Sequence, residues 1–286
     1  MSRRRTRWAA RAPGTRSRKR SIAAVVAVIV GLAFLAPLLW VLITSLSSRG
    51  DVYRFPPALW PDWHWSNYST AWAAAPWVRY FLNTVFIGAC TVALVLVTSV
   101  LAGFAFARMR FLGRTPLFLL VLAVMMVPQT VLIIPNYVIA SRLHLLDTYW
   151  IQILPFGASV FGIFLLRQFF LAIPSEIFDA AQLDGAGPLR MAFQIAGPLA
   201  RPSLILVGLN TFMGAWNSFV WPYIMTTTDS IRPIEVGLNA FYGVNGTDWT
   251  TLSAAVVFTT IPIVVLFLFL QKYFVTGLYS TSGAVR

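Results

Sequence analysis

The chain has 286 residues, of which 58% are hydrophobic and 11% charged; soluble domains carry about a quarter charged residues, so this composition excludes an ordinary soluble enzyme and marks a polytopic membrane protein. The net charge of +13 does not indicate a nucleic-acid partner, because nine of the 22 basic residues lie before Ser21, directly ahead of an apolar run, where basic residues set topology. The single cysteine, Cys90, excludes an internal disulfide framework.

In chain order, residues 1–21 read as a basic cytoplasmic tail and 22–276 as a membrane domain. Six segments are apolar over enough length to cross a bilayer, at about 20 residues each: 22–46, 81–107, 115–140, 148–166, 203–226 and 253–271. The first is too long for the apolar core of a signal peptide and is expected to remain as an uncleaved span. Prolines 37, 128, 135, 155, 222 and 262 fall inside spans, which membrane helices tolerate when neighbours satisfy the freed carbonyls. Residues 277–286 read as a cytoplasmic tail.

With the N-terminus inside, seventeen basic and three acidic residues fall on the inner side, against five basic and six acidic residues outside. This asymmetry places both termini and the 172–202 loop in the cytoplasm. None of the six runs contains Asp, Glu, Lys, Arg or His. Proton relays, ion coupling and voltage sensing need such groups at depth, as does an intramembrane aspartyl or metal protease. The two histidines, His64 and His144, fall in outside loops, and no metal site is expected. The two lysines, Lys19 and Lys272, do not follow glycine, so no G-x-x-x-x-G-K phosphate cradle exists. If the protein works on a solute, the energy must come from another subunit that touches the cytoplasmic face.

The 172–202 loop, "AIPSEIFDAAQLDGAGPLRMAFQIAGPLARP", carries the strongest local signals. Pro174 suits a first helical turn, and Glu176 and Asp179 favour the positive end of a helix. Ile177, Ala180 and Ala181 share a face by helical spacing. Gly185 and Gly187 supply a reversal, and Pro188 begins a second helix with Leu189, Met191 and Phe193 as apolar candidates. Gly197, Pro198 and Pro202 end it. From the residues alone, this is either an amphipathic connector resting on lipid or a docking element for another protein.

The pattern Asp179-Ala180-Ala181, Asp184-Gly185-Ala186, then Ile195, Pro198 and Leu199 resembles the "EAA" loop of binding-protein-dependent ABC importer permeases. Asp179 stands where that motif usually has Glu, and Gly197 where it usually has Leu. "NTVFIG", "VPQTVLIIPNY", "WNSFVWP" and "FVTGL" are similar to the carbohydrate-uptake permeases of the MalG type. The resemblance implies an all-α, six-span type I importer fold and a non-enzymatic permease subunit in a bacterial plasma membrane. It implies a second permease as heterodimer partner, two ATPase subunits that bind ATP and Mg, and an extracytoplasmic solute-binding protein. Glu176, Asp179, Ala180, Ala181, Asp184, Gly185, Ala186 and Gly187 would form the ATPase-coupling element, and Gly283, Ala284 and Val285 a second ATPase contact. No cofactor is expected on this chain itself.

Spans without charge suit a solute without strong charge. Asn210 and Asn217, with Phe212, Trp216, Trp221 and Tyr223, are the candidate solute contacts. The same residue types also serve interface belts and helix packing. The expected solute is a carbohydrate, with glycerol-3-phosphate or a polyol as alternatives. A facilitative channel or a membrane-embedded enzyme is the competing class. Loops 47–79 and 227–252 are the outside surfaces open to a binding protein.

Overall fold

The computed structural model describes residues 14–56, 60–243 and 246–283. The architecture is helical, as expected, with one small hairpin, β1 (Tyr242–Gly243) against β2 (Gly246–Thr247). The helices are α1 (Gly14–Ser45), α2 (Ser66–Ala73), α3 (Trp77–Arg108), α4 (Arg114–Ala123), α5 (Ile133–Arg142), α6 (Tyr149–Ile153) and α7 (Val160–Ala172). They continue as α8 (Ser175–Leu183), α9 (Pro188–Leu199), α10 (Arg201–Trp216), α11 (Val220–Met225) and α12 (Trp249–Gly283).

Among the described residues, four segments are long and apolar enough to cross a membrane: Ala24–Ser45, Trp77–Arg108, Tyr149–Ala172 and Trp249–Phe269. Two further pairs, α4 with α5 and α9 with α10, qualify only as spans bent by 88°. The expected third span, 115–140, is therefore broken. Val127 (ψ 116°) and Pro128 (ψ 125°) are extended between two 3₁₀ turns, because a residue that precedes proline is pushed out of the helical region. The expected fifth span, 203–226, is also interrupted: helix α10 stops at Trp216, and α11 resumes at Val220. Pro37 and Pro262 remain inside unbroken helices. Helix α1 begins at Gly14 and α12 continues to Gly283, so helix reaches into both segments read as tails. Residues 1–13 lie outside the described residues.

The bundle centres on α3, which lies against α7 and α10. Glycine makes this approach possible at two points. A Cβ on Gly103 would sit 3.1 Å from Leu166 Cβ and 3.2 Å from the Arg167 backbone nitrogen. A Cβ on Gly162 would sit 2.5 Å from Ser99 Oγ and 2.9 Å from Val207 Cγ1. In lipid the hydrophobic effect does not drive helices together, so van der Waals contact through small residues carries the association.

By contrast, α1 is exposed from Ala24 to Trp40, as a lipid-facing helix would be, and becomes buried only at Thr44 and Ser45. Among the described residues, it leans on α12. Replacing Gly162 by Val is expected to separate α3 from α7 and to destabilise the protein by about 1–3 kcal/mol. Gly214→Ala, where an added Cβ meets nothing within 4 Å, should leave the melting temperature in detergent unchanged or raised.

Candidate functional site

Helix α8 is capped at its start by Pro174 in an extended conformation, with Glu176 in the first turn. Its end is a Schellman turn. Gly185 adopts φ +78°, its N–H donates to Gln182 O at 3.0 Å, and Ala186 N–H donates to Ala181 O at 2.9 Å. Those two bonds satisfy carbonyls that a helix terminus otherwise leaves orphaned. Residue 185 must adopt the left-handed region, where glycine alone avoids a steric cost. Ala186 tucks under the turn and is buried.

Helix α8 does not bury the face that Ile177, Ala180 and Ala181 share as a unit. Ile177 and Ala180 are exposed, whereas Phe178 is buried and Ala181 half-buried. Phe178 is large enough to reach the C-terminal end of α3, where its ring meets Phe104 edge-on at 5.8 Å. In α9, too, small residues rather than large apolar ones are buried. Leu189 and Phe193 are exposed and Met191 half-buried, while Ala192, Ala196 and Ala200 are buried. These alanines recur every four residues, and together with a π segment over Met191–Ala196 they let α9 lie flat across α3 and α7 in one apolar cluster. The 88° turn into α10 follows at Ala200.

The loop therefore presents a surface. Glu176, Asp179, Ala180, Asp184, Gly185 and Gly187 are exposed there, and Leu183 stands at the tip with 90% of its area free. Ile177, Leu189 and Phe193 extend this apolar surface. Of the eight predicted loop residues, only Ala181 and Ala186 turn inward. Gly283 ends α12, and Ala284 and Val285 lie outside the described residues.

Two arginines that the sequence analysis counted only as topology charges brace this end. Arg108, the last residue of α3, donates through Nε (3.0 Å) and Nη2 (2.6 Å) to Phe170 O, and through Nη2 to Ile173 O. Its guanidinium also lies 4.5 Å from the centre of the Phe178 ring. Arg167, on α7, donates to Phe106 O at 3.3 Å and lies 4.1 Å from the ring centre of Phe118 on α4. A basic residue at the C-terminal end of a span was the available signal, since such side chains cap carbonyls.

The six solute candidates divide. Asn210, Asn217 and Tyr223 are exposed along one side of α10 and α11, together with Met213 and Gly214. Trp216 is 2% exposed, packed between Phe81 and Phe212 at 5.7 and 5.8 Å. Trp221 is half-buried, donates its indole N–H to Ile151 O at 2.9 Å and meets the Phe156 ring at 5.2 Å. Phe212 is half-buried against Gly88. Two amides on an open helix face would be costly against lipid.

At the opposite end, segment 226–234 is pinned to the spans. Asn83 Nδ2 donates to Ser230 O (3.0 Å) and Arg232 O (2.9 Å), Gln152 to Ile231 O (3.0 Å), and Ile234 N–H to Thr84 Oγ1 (2.7 Å). Tyr149 closes the network onto Asn83 at 2.8 Å. Trp72, Trp77, Arg79, Asn83 and Tyr149 line an open cleft of about 760 Å³ there. The Asp147 carboxylate accepts from Thr227 N–H (2.9 Å), Thr228 N–H (3.0 Å) and the Thr228 hydroxyl, and these bonds hold its pKa below the usual carboxylate value.

A depressed carboxylate stabilises above its unfolded pKa of about 3.9, and that contribution is lost as pH falls through the lower folded value. Amide exchange at Thr227 and Thr228, corrected for the intrinsic rate, should therefore be unchanged from pH 8 to pH 5. It should rise in Asp147→Ala at every pH.

The model for the family described as "Binding-protein-dependent transport system inner membrane component" matches residues 96–278. The chain is 31% identical over 261 residues to an arabinooligosaccharides transport system permease protein, AraQ, of Bacillus subtilis, covering 90% of this chain and 92% of that one. It is 34% identical over 261 residues to an sn-glycerol-3-phosphate transport system permease protein, UgpE, of Yersinia pestis, covering 88% and 92%. A crystal structure of a bacterial ABC transporter involved in the import of the acidic polysaccharide alginate contains a chain of the same fold. Its TM-score is 0.78, with 24% identity, covering 93% of this chain and all of that one.

Proposed function

Because the chain belongs to the family of binding-protein-dependent transport system inner membrane components and is a permease subunit of an ABC importer, we propose that its 172–202 loop is the element on which a cytoplasmic ATPase subunit acts. The observation that carries this reading is the Schellman-capped end of α8. Exposed Leu183, Asp184 and Gly185 project there from a loop whose other face is packed on the spans. Capping and packing keep the short helix rigid, and the glycine turn gives another backbone room to approach. The acidic groups Glu176, Asp179 and Asp184 suit a partner cleft with basic rims. On this reading the loop end, with its excess of arginine, is cytoplasmic, and the 226–234 end and its cleft lie on the side of a solute-binding protein.

The exposed side of α10, with Asn210, Asn217 and Tyr223, then faces a second permease subunit across a shared pathway. We read the solute as a carbohydrate, because this face offers amides and a phenol ring and no group charged at neutral pH. Relatives are named for an arabinooligosaccharide and for sn-glycerol-3-phosphate. A phosphate would require cations that this face lacks, so the carbohydrate reading is favoured.

Gly185→Trp tests the loop. An added Cβ meets nothing within 4 Å, so the expected cost to the fold is only the left-handed backbone, about 1–2 kcal/mol. Membrane insertion should persist while co-purification of the ATPase is lost. Retained co-purification and uptake would refute the docking role. Asn217→Leu should lower uptake of a labelled oligosaccharide about tenfold with the ATPase still bound. Outward labelling of a cysteine placed at Asp184 would overturn the orientation.

A further inference from the structure

We propose that Arg108 is a positioning residue that locks the hinge between α7 and α8, so that a displacement of α8 is passed to the spans as one rigid motion. This deepens the docking reading above and rests on it. Helix α7 ends at Ala172 and α8 begins at Ser175. Between them lie only Ile173 (ψ 133°) and Pro174 (ψ 139°), both extended. Such a two-residue connection has no helical hydrogen bonds of its own. A push on α8 can be absorbed by rotation there without moving α7.

One side chain bridges this connection. On the near side, the Arg108 fork holds Phe170 O and Ile173 O, carbonyls that the end of α7 leaves without helical partners. On the far side, the same guanidinium lies over the Phe178 ring of α8. The ring is wedged in turn against Phe104 of α3, and Phe104 meets Phe170 at 6.1 Å. Arg108 itself ends α3. Thus α3, the end of α7 and the start of α8 meet on one cation that cannot lose its charge. Only a planar fork can bond the carbonyls and stack on the ring together. Lysine keeps the charge but not that geometry.

The test uses the complete transporter in proteoliposomes, with ATP hydrolysis and solute uptake measured side by side. Arg108→Lys is expected to assemble with its ATPase and to hydrolyse ATP within about twofold of the parent, while uptake per ATP falls about tenfold. Phe178→Leu should do the same. Phe178→Tyr, which keeps the ring face, should restore the ratio. Unchanged uptake per ATP in Arg108→Lys and Phe178→Leu would overturn the proposal. So would a parallel fall of hydrolysis and uptake, loss of ATPase assembly, or a Phe178→Tyr protein that behaves like Phe178→Leu. Gly185→Trp separates the two readings. If it loses the ATPase while Arg108→Lys remains fully coupled, the docking role stands and the hinge lock fails.

Discussion

The close approach of α3 to α7 is the constraint on which the rest of the structure depends. At Gly162 the helices leave no room for a side chain, and at Gly103 a Cβ would fit only if its neighbours shifted. Lipid gives apolar side chains little reason to leave it, so this contact area must hold the bundle together. The approach also aligns the helix ends. Arg108 on α3 can reach the carbonyls of α7, and Arg167 on α7 reaches back to Phe106 O on α3. The two guanidiniums cross-bond helices already brought close by glycine.

The coupling loop is built on that platform. Its acidic and glycine residues face outward, and its alanines and Phe178 face inward. Each residue of the D-G-A stretch then has a physical task. Asp184 closes the helix, Gly185 takes the positive φ, and Ala186 fits beneath the turn and returns an N–H to Ala181 O. A larger residue at 186 would lift the turn off the platform. On the proposed docking role, the loop would pass a partner's motion to the membrane helices through this packing and through the Arg108 bonds to Phe170 O and Ile173 O.

The membrane-embedded polar groups follow a different logic. Two tryptophans serve packing: buried Trp216 fills the space between Phe81 and Phe212, and half-buried Trp221 satisfies its N–H on Ile151 O. Asn210 and Asn217 have no such shelter within this chain's packing and lie on an open face. A lone permease subunit is therefore chemically incomplete along α10. Water, solute or a partner subunit must meet those amides, because hydrocarbon cannot.

Much of this was legible from residue order. Apolar length located four spans to within a few residues at most ends, and the proline and glycine signals located both loop helices and the reversal at Gly185, because capping chemistry is local. The breaks at Val127–Pro128 and at Asn217 were not legible, since proline is tolerated elsewhere in these spans, at Pro37 and Pro262. Nor was the buried face of either loop helix. Hydrophobicity pointed to Ile177, Leu189 and Phe193, but shape complementarity selected Phe178 and three alanines. Sequence by itself determined the membrane class, the loop and its turn, because composition and caps act over a few residues. Only tertiary structure decided which arginine holds the loop and which asparagines remain open, because those contacts join residues some sixty or more positions apart or depend on a partner's surface.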